Sequence, residues 1–179
     1  MNIDTKVWET LCSKEDIAKR VAELGKQISE DYQGQSIHVI SLLKGSFIFT
    51  SDLVRQITVP LKVSFMVTSS YGHGTSTSGE VRIEDQIKGA IEGEHILVVD
   101  DITDSGITMK KVLDHLKEKK PASLKSCVLL DKPSRRAVDL QAHYIGFEIE
   151  DKFVVGYGLN YGDYYRNTPY VFAVTDQDR

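Results

Sequence analysis

Cysteine is nearly absent: Cys12 and Cys127 are the only two in 179 residues. Two isolated thiols exclude a disulfide-stapled scaffold and point to a reducing, cytoplasmic setting. Cys127 stands in the apolar run Cys-Val-Leu-Leu and reads as a small buried hydrophobe. No apolar run approaches the roughly 20 residues of a bilayer crossing. The first residues, Met-Asn-Ile-Asp-Thr-Lys, lack the basic-then-apolar order of a secretion signal, so no membrane partner is expected. Positive charge is not in excess either. The 22 Lys and Arg against 26 Asp and Glu leave a net charge of −4, which gives no electrostatic reason to expect a nucleic-acid partner. There is no His cluster and no Cys-x-x-Cys, so a metal held by protein groups alone is not expected. Repeats, low-complexity linkers and composition breaks are missing as well. With 41% hydrophobic residues, residues 1–179 read as one domain with a proper core.

What is present alternates between strand and helix. Ser13 with Asp16 resembles a capping box, and Ile17, Val21, Leu24 and Ile28 follow at helical spacing, with Gly34 past the end. Ile37–Leu43 reads as a buried strand broken at Lys44-Gly45-Ser46, then a helix over 47–56. Leu61, Val63, Phe65 and Val67 alternate with polar residues as in a half-buried strand. From Ser70 to Glu80, 8 of 11 residues are Gly, Ser or Thr. That stretch reads as an inert surface loop or as an active-site lid with Tyr71 its one large contact residue. Val81, Ile83 and Ile87 fit the return strand of a long hairpin. Further strands are expected at 124–130, 144–147 and 153–156. The alternation predicts an α/β fold, a mostly parallel twisted sheet with helices on both faces. In such sheets the site lies beyond the carboxyl ends of the strands, here 43–46, 100–108 and 131–132.

The most informative stretch is Ile96 to Lys110. Ile96–Val99 is a buried-strand run ending in two acids, Asp100 and Asp101. A polar loop, Asp104-Ser105-Gly106-Ile107-Thr108, leads into a helix with Met109, Val112, Leu113 and Leu116 on one face. A loop of hydroxyls and amides at a helix N-terminus captures a phosphate monoester. Carboxylates cannot serve that anion, but they suit hydroxyls, a metal ion or a cationic centre. A phosphate cradle flanked by acids therefore suggests a sugar phosphate. The doublet by itself reads more readily as a solubilising strand end, and Asp104 or Ser105 as a plain N-cap. A signalling receiver domain also ends a strand in paired aspartates. There, however, they stand near the start of about 120 residues, and here too little chain follows.

The run of four apolar residues, two acids, two others, then Asp-Ser-Gly-x-Thr resembles the type I phosphoribosyltransferase motif. Other segments are similar to the hypoxanthine-guanine branch of that family. Leu43-Lys44-Gly45-Ser46 resembles its pyrophosphate loop, where a non-proline cis peptide is typical, and Ser69-Ser70-Tyr71-Gly72 its flexible loop. Leu130 to Arg136 resembles the segment whose lysine, here Lys132, reaches the six-oxo group of a purine. Asp151 to Tyr161 resembles the base-binding segment. The resemblance implies phosphate binding by Asp104, Ser105, Gly106, Ile107 and Thr108, and pyrophosphate binding by Lys44, Gly45 and Arg166. It further implies a lid over about 70–80 carrying Ser70 and Tyr71, and purine contacts from Lys132, Phe153, Val154 and Leu159. Asp100, Asp101 and Asp104 would be catalytic, with Asp104 the general base. Asp100, Asp101 and Asn160 would face Mg2+, mostly through substrate or water. Asn160 departs from the family's usual aspartate, which weakens the expected hold on magnesium and pyrophosphate. A small hood is expected from the N-terminal segment and about 148–170, and a homodimer or homotetramer from the relatives. Without the resemblance, Phe153 reads equally as a core aromatic. Arg135 and Arg136 read as a solvated basic face or a subunit contact. The implied reaction joins hypoxanthine or guanine to phosphoribosyl pyrophosphate; the rivals are xanthine as the base, or an RNA-binding attenuator of the same fold.

Overall fold

The computed structural model describes residues 8–70 and 81–174. In chain order the elements are β1 (Glu9–Cys12), α1 (Lys14–Asp31), β2 (Ile37–Leu43), α2 (Phe47–Val54), β3 (Leu61–Ser70) and β4 (Val81–Asp85). They continue with β5 (His95–Thr103), α3 (Ile107–Lys117), β6 (Ser123–Asp131), β7 (Tyr144–Glu148), β8 (Phe153–Val155) and β9 (Val171–Val174). The capping box starts α1: the Ser13 hydroxyl accepts from the Asp16 N–H at 3.1 Å, and the Asp16 carboxylate accepts from the Ser13 N–H. Its apolar stripe, Ile17, Val21, Leu24 and Ile28, is buried.

Six strands form one sheet in the order β4-β3-β2-β5-β6-β7. Every pair is parallel except β3 with β4. Ile96–Val99 and Val128–Leu130 are fully buried, because apolar side chains on both sides of these strands meet packed layers. Helices α1 and α2 cover one face, over Val39, Leu97, Val99 and Leu129. Helix α3 covers the other, over Ile40, Ile96, Val98 and Val128. The chain steps outward from β2 to β3 on one side and from β5 to β6 and β7 on the other. That divergence leaves a crevice between the carboxyl ends of β2 and β5, the usual place for a ligand in such sheets.

Two features depart from expectation. In β3 the apolar alternation points the other way: Met66 is wholly buried, whereas Val63 is 39% and Phe65 43% exposed. Met66 joins Ile40, Val98 and Met109 in the core beneath α3. On the opposite face α2 lies over β2 and β5, one strand short of Val63 and Phe65. The other departure is a second sheet, β1-β9-β8, antiparallel throughout. Strand β8 lies in the stretch expected to form the hood, and β1 and β9 have no counterpart in the periodicity analysis. Trp8 stacks on Phe172, with centroids 4.3 Å apart and planes 4° from parallel, and fastens this sheet.

Candidate active site

The turn after β2 is held from below by hydroxyls. Ser46 is buried and donates to the Leu42 carbonyl at 2.6 Å, and Ser41 links Ser46 to Thr50 at 2.7 and 2.8 Å. The Leu43–Lys44 peptide is cis, and the Lys44 side chain is exposed. Gly45 presses on the end of β5, where an added Cβ would stand 1.8 Å from Asp101 Oδ2. A side chain there would displace the Asp101 carboxylate, so glycine lets backbone and carboxylate meet directly.

At that strand end the Asp100 carboxylate accepts from the Asp101 N–H at 2.9 Å, and the Asp101 carboxylate from the Ile102 N–H at 3.0 Å. Burial, then the charge of Asp101, pushes Asp100 well above the usual carboxylate range. Burial also raises Asp101, against the pull of hydrogen bonds and the Arg166 charge. Two enclosed acids side by side resist double ionisation and favour any donor or cation brought to them. Beyond them Ser105 Oγ accepts from the Ile107 N–H at 3.3 Å. The N-cap of α3 is Gly106 at φ 82°, not Asp104 or Ser105. An added Cβ there would come within 2.9 Å of Arg136. A crevice of about 260 Å³ runs between Gly45, Asp100, Asp101, Asp104, Ser105 and Thr108. A larger cavity of about 360 Å³ lies between α1, α2 and residues 166–169. It brings in no pair of acids, and the chemistry sits in the smaller one.

The loop after β6 is tied into the same site. Lys132 donates its N–H to the Thr103 carbonyl, and Ala137 donates to Ser105, each at 2.9 Å. The Lys132 side chain is buried, and its ammonium lies 3.7 Å from an Asp151 oxygen. That spacing is too long for a hydrogen bond and leaves its donors for another acceptor. Of the two arginines expected on a solvated basic face, Arg135 is exposed and Arg136 is not. Arg136 is 15% exposed, pairs with the buried Asp131 carboxylate, and donates to the Asp104 carbonyl at 2.8 Å. Arg135 Nε donates to Asp104 Oδ1 at 3.1 Å and its Nη1 lies 3.5 Å from Asp151. Two arginines thus brace the loop that carries Asp104, a role no sequence period marks.

Phe153, 36% exposed on β8, meets Tyr161 edge-on with centroids 5.8 Å apart. Val154 and Leu159 are buried beside it in the chain. The Asn160 side-chain amide donates to the Gly162 carbonyl. Arg166 donates to the Gly158 carbonyl at 2.6 Å, and Gly158 abuts Gly45, since its added Cβ would lie 2.1 Å from the Gly45 carbonyl oxygen. Backbone pairing places Ser70 opposite Val81. The rest of the expected lid, with Tyr71, lies outside the described residues.

Known proteins share this fold and much of this sequence. The model of the phosphoribosyl transferase domain matches residues 7–162. A hypoxanthine phosphoribosyltransferase of Haemophilus influenzae is 49% identical over 169 residues, 93% of this chain and 94% of that one. A hypoxanthine-guanine phosphoribosyltransferase of Aquifex aeolicus is 49% identical over 172 residues, 96% of this chain and 97% of that one. The crystal structure of a hypoxanthine phosphoribosyltransferase from Staphylococcus aureus superposes with a TM-score of 0.90 at 43% identity, covering 94% of this chain and 92% of that one. On the matched domain, the shared fold and identity over almost its whole length, the chain belongs to the phosphoribosyl transferase family.

Proposed function

We propose that the protein is a purine salvage enzyme. It transfers the 5-phosphoribosyl group from phosphoribosyl pyrophosphate to hypoxanthine, and also to guanine, giving IMP or GMP and pyrophosphate. The observation that carries this reading is the enclosed pair Asp100–Asp101 meeting, across one crevice, the amide-and-hydroxyl loop 104–108 and the Gly45 turn.

The residues divide the work by charge. Ser105, Gly106, Ile107 and Thr108, at the positive end of α3, hold the 5-phosphate. Asp100 and Asp101 accept from the ribose hydroxyls and steady the positive charge that develops on the ribose. Asp104 takes the proton from the base nitrogen that becomes bonded to the sugar. Phe153 offers a ring face to the base, Val154 and Leu159 border it, and the Lys132 ammonium donates to the six-oxo oxygen. Lys44, the Gly45 amide and Arg166 receive pyrophosphate. Ser70 and Tyr71 belong to a lid that keeps water from the same ribose carbon.

Mg2+ fits this donor set, because two acids that resist joint ionisation gain from a nearby cation. Asp100, Asp101 and Asn160 would hold it, mostly through substrate or water. Such a cation would supply positive charge against the leaving pyrophosphate. The sheet β1-β9-β8 and residues 156–170 act as the hood of a single domain. The protein works in the cytoplasm as a homodimer or homotetramer, a reading supported by the exposed Phe47, Val63 and Phe65.

The test is pyrophosphate release and nucleotide formation from hypoxanthine, guanine or xanthine with phosphoribosyl pyrophosphate and Mg2+. Turnover with the six-oxo purines is expected, and its loss with chelator. Tight, salt-sensitive RNA binding without turnover would replace this reading with a regulatory one.

A further inference from the structure

The Gly45 turn is gripped between two surfaces. On one side stands the Asp101 carboxylate, and on the other Gly158. Gly158 is bonded to Arg166 on both sides: its N–H donates to the Arg166 carbonyl at 2.9 Å and its own carbonyl accepts from Arg166 Nη1 at 2.6 Å. What sets the position of this outer jaw is its neighbour Tyr157. The Tyr157 N–H donates to the Thr168 carbonyl at 2.8 Å. The residue takes a left-handed backbone at φ 50°, its ring is 6% exposed, and its hydroxyl donates to Asp52 Oδ2 at 2.5 Å. Asp52 sits on α2, the helix that begins two residues after Gly45. A phenol–carboxylate bond therefore ties the jaw to the helix behind the turn. Burial, then Asp52, pushes the phenol far above its ordinary value, so it stays a donor at any working pH.

We infer that Tyr157 and Asp52 are positioning residues for the pyrophosphate end of the reaction, fixing the gap between the Gly45 turn and the Gly158–Arg166 jaw. This rests on the functional reading above. Neither side chain is assigned a contact with substrate. At the base end Lys132 hangs on different bonds, its own N–H to the Thr103 carbonyl and those of Arg135 and Arg136 to the 104 loop, while Leu159 adjoins the jaw. Loss of the phenol–carboxylate bond should therefore act more on phosphoribosyl pyrophosphate than on the base.

Tyr157→Phe removes one oxygen and keeps the ring. A hydrogen bond to a charged group of this kind converts to about a tenfold effect on affinity. The Michaelis constant for phosphoribosyl pyrophosphate is expected to rise by about that factor, with the constant for hypoxanthine within about twofold of wild type. Asp52→Ala should reproduce the loss, and Asp52→Asn, which keeps an acceptor oxygen, should recover most of it. Arg55→Met, which removes the exposed partner of Asp52, should leave both constants alone. Calorimetric binding of pyrophosphate with Mg2+ reads the same weakening without turnover. Equal rises in both Michaelis constants, or unchanged pyrophosphate affinity in Tyr157→Phe, would overturn the inference. An inactive wild type whose pyrophosphate affinity still depends on Tyr157 would instead overturn the assigned reaction and leave the strut in place.

Discussion

Asn160 is the residue at which this chain parts from the pattern it otherwise resembles, and its bond to the Gly162 carbonyl shows what the amide does. Only an amide can donate there; a carboxylate would face that carbonyl with like charge. The exchange Asn160→Asp gives up a local turn contact and gains a charged oxygen for a hard cation. Half-maximal turnover in a magnesium titration is expected at about three- to tenfold lower Mg2+. An unchanged titration would remove Asn160 from the cation's surroundings. Asp100 poses the opposite bargain. Its folded-state pKa is raised, so above the ordinary carboxylate range its ionised form weakens the fold. Relief comes only as pH falls and a proton is taken up. At pH 7 Asp100→Asn should stabilise the protein by about 1 kcal/mol, or about 2–4 °C in Tm, while lowering turnover. Parallel melting and rate measurements check this; a less stable variant would mean the acid pair is held by something other than tolerance.

At the scale of elements, α3 and β4 are joined by a small ionic clamp. Asp85 accepts from His115 at 3.0 Å, from the Ile87 N–H at 2.9 Å, and from Lys119. Burial on its own would raise this acid, but the Lys119 and His115 hydrogen bonds outweigh it and hold the group at about 2. A depressed acid contributes stability that is complete above its unfolded value near pH 4 and disappears as pH falls toward 2. Asp85→Asn should flatten the stability profile between pH 4 and pH 2 and cost on the order of 2 kcal/mol at neutral pH. Urea unfolding across that window is the check, and coincident profiles would refute it. Elements of this sort also show where sequence reading succeeds. Helix α1, strand β2 and the β5–α3 junction were legible because each carries a period, a cap or an abrupt change from apolar to acidic. The inward face of β3 was not, because Val63 and Phe65 look buried until the short reach of α2 is known. Strands β1 and β9 are four residues each, too short to show a period. Arg136 was misread because its partners, Asp131 and the Asp104 carbonyl, come from two other loops.

For the whole molecule, the parallel sheet and the acid-and-amide crevice could be anticipated from local pattern, since each strand end announces itself in a few residues. The strand pairing of the hood could not, because β1 pairs with β9 in a register of Glu9 with Ala173. Pairing at that separation is invisible to any window and slow to form. It also orders events during synthesis. A ribosome that has passed Arg166 has already made every residue assigned to the reaction, yet β8, which bears Phe153, still waits for its neighbour. The platform for the purine is finished only when β9 pairs with both β8 and the earlier-made β1. Stalled or nicked chains should thus retain a hold on the phosphorylated sugar well before they can discriminate among bases.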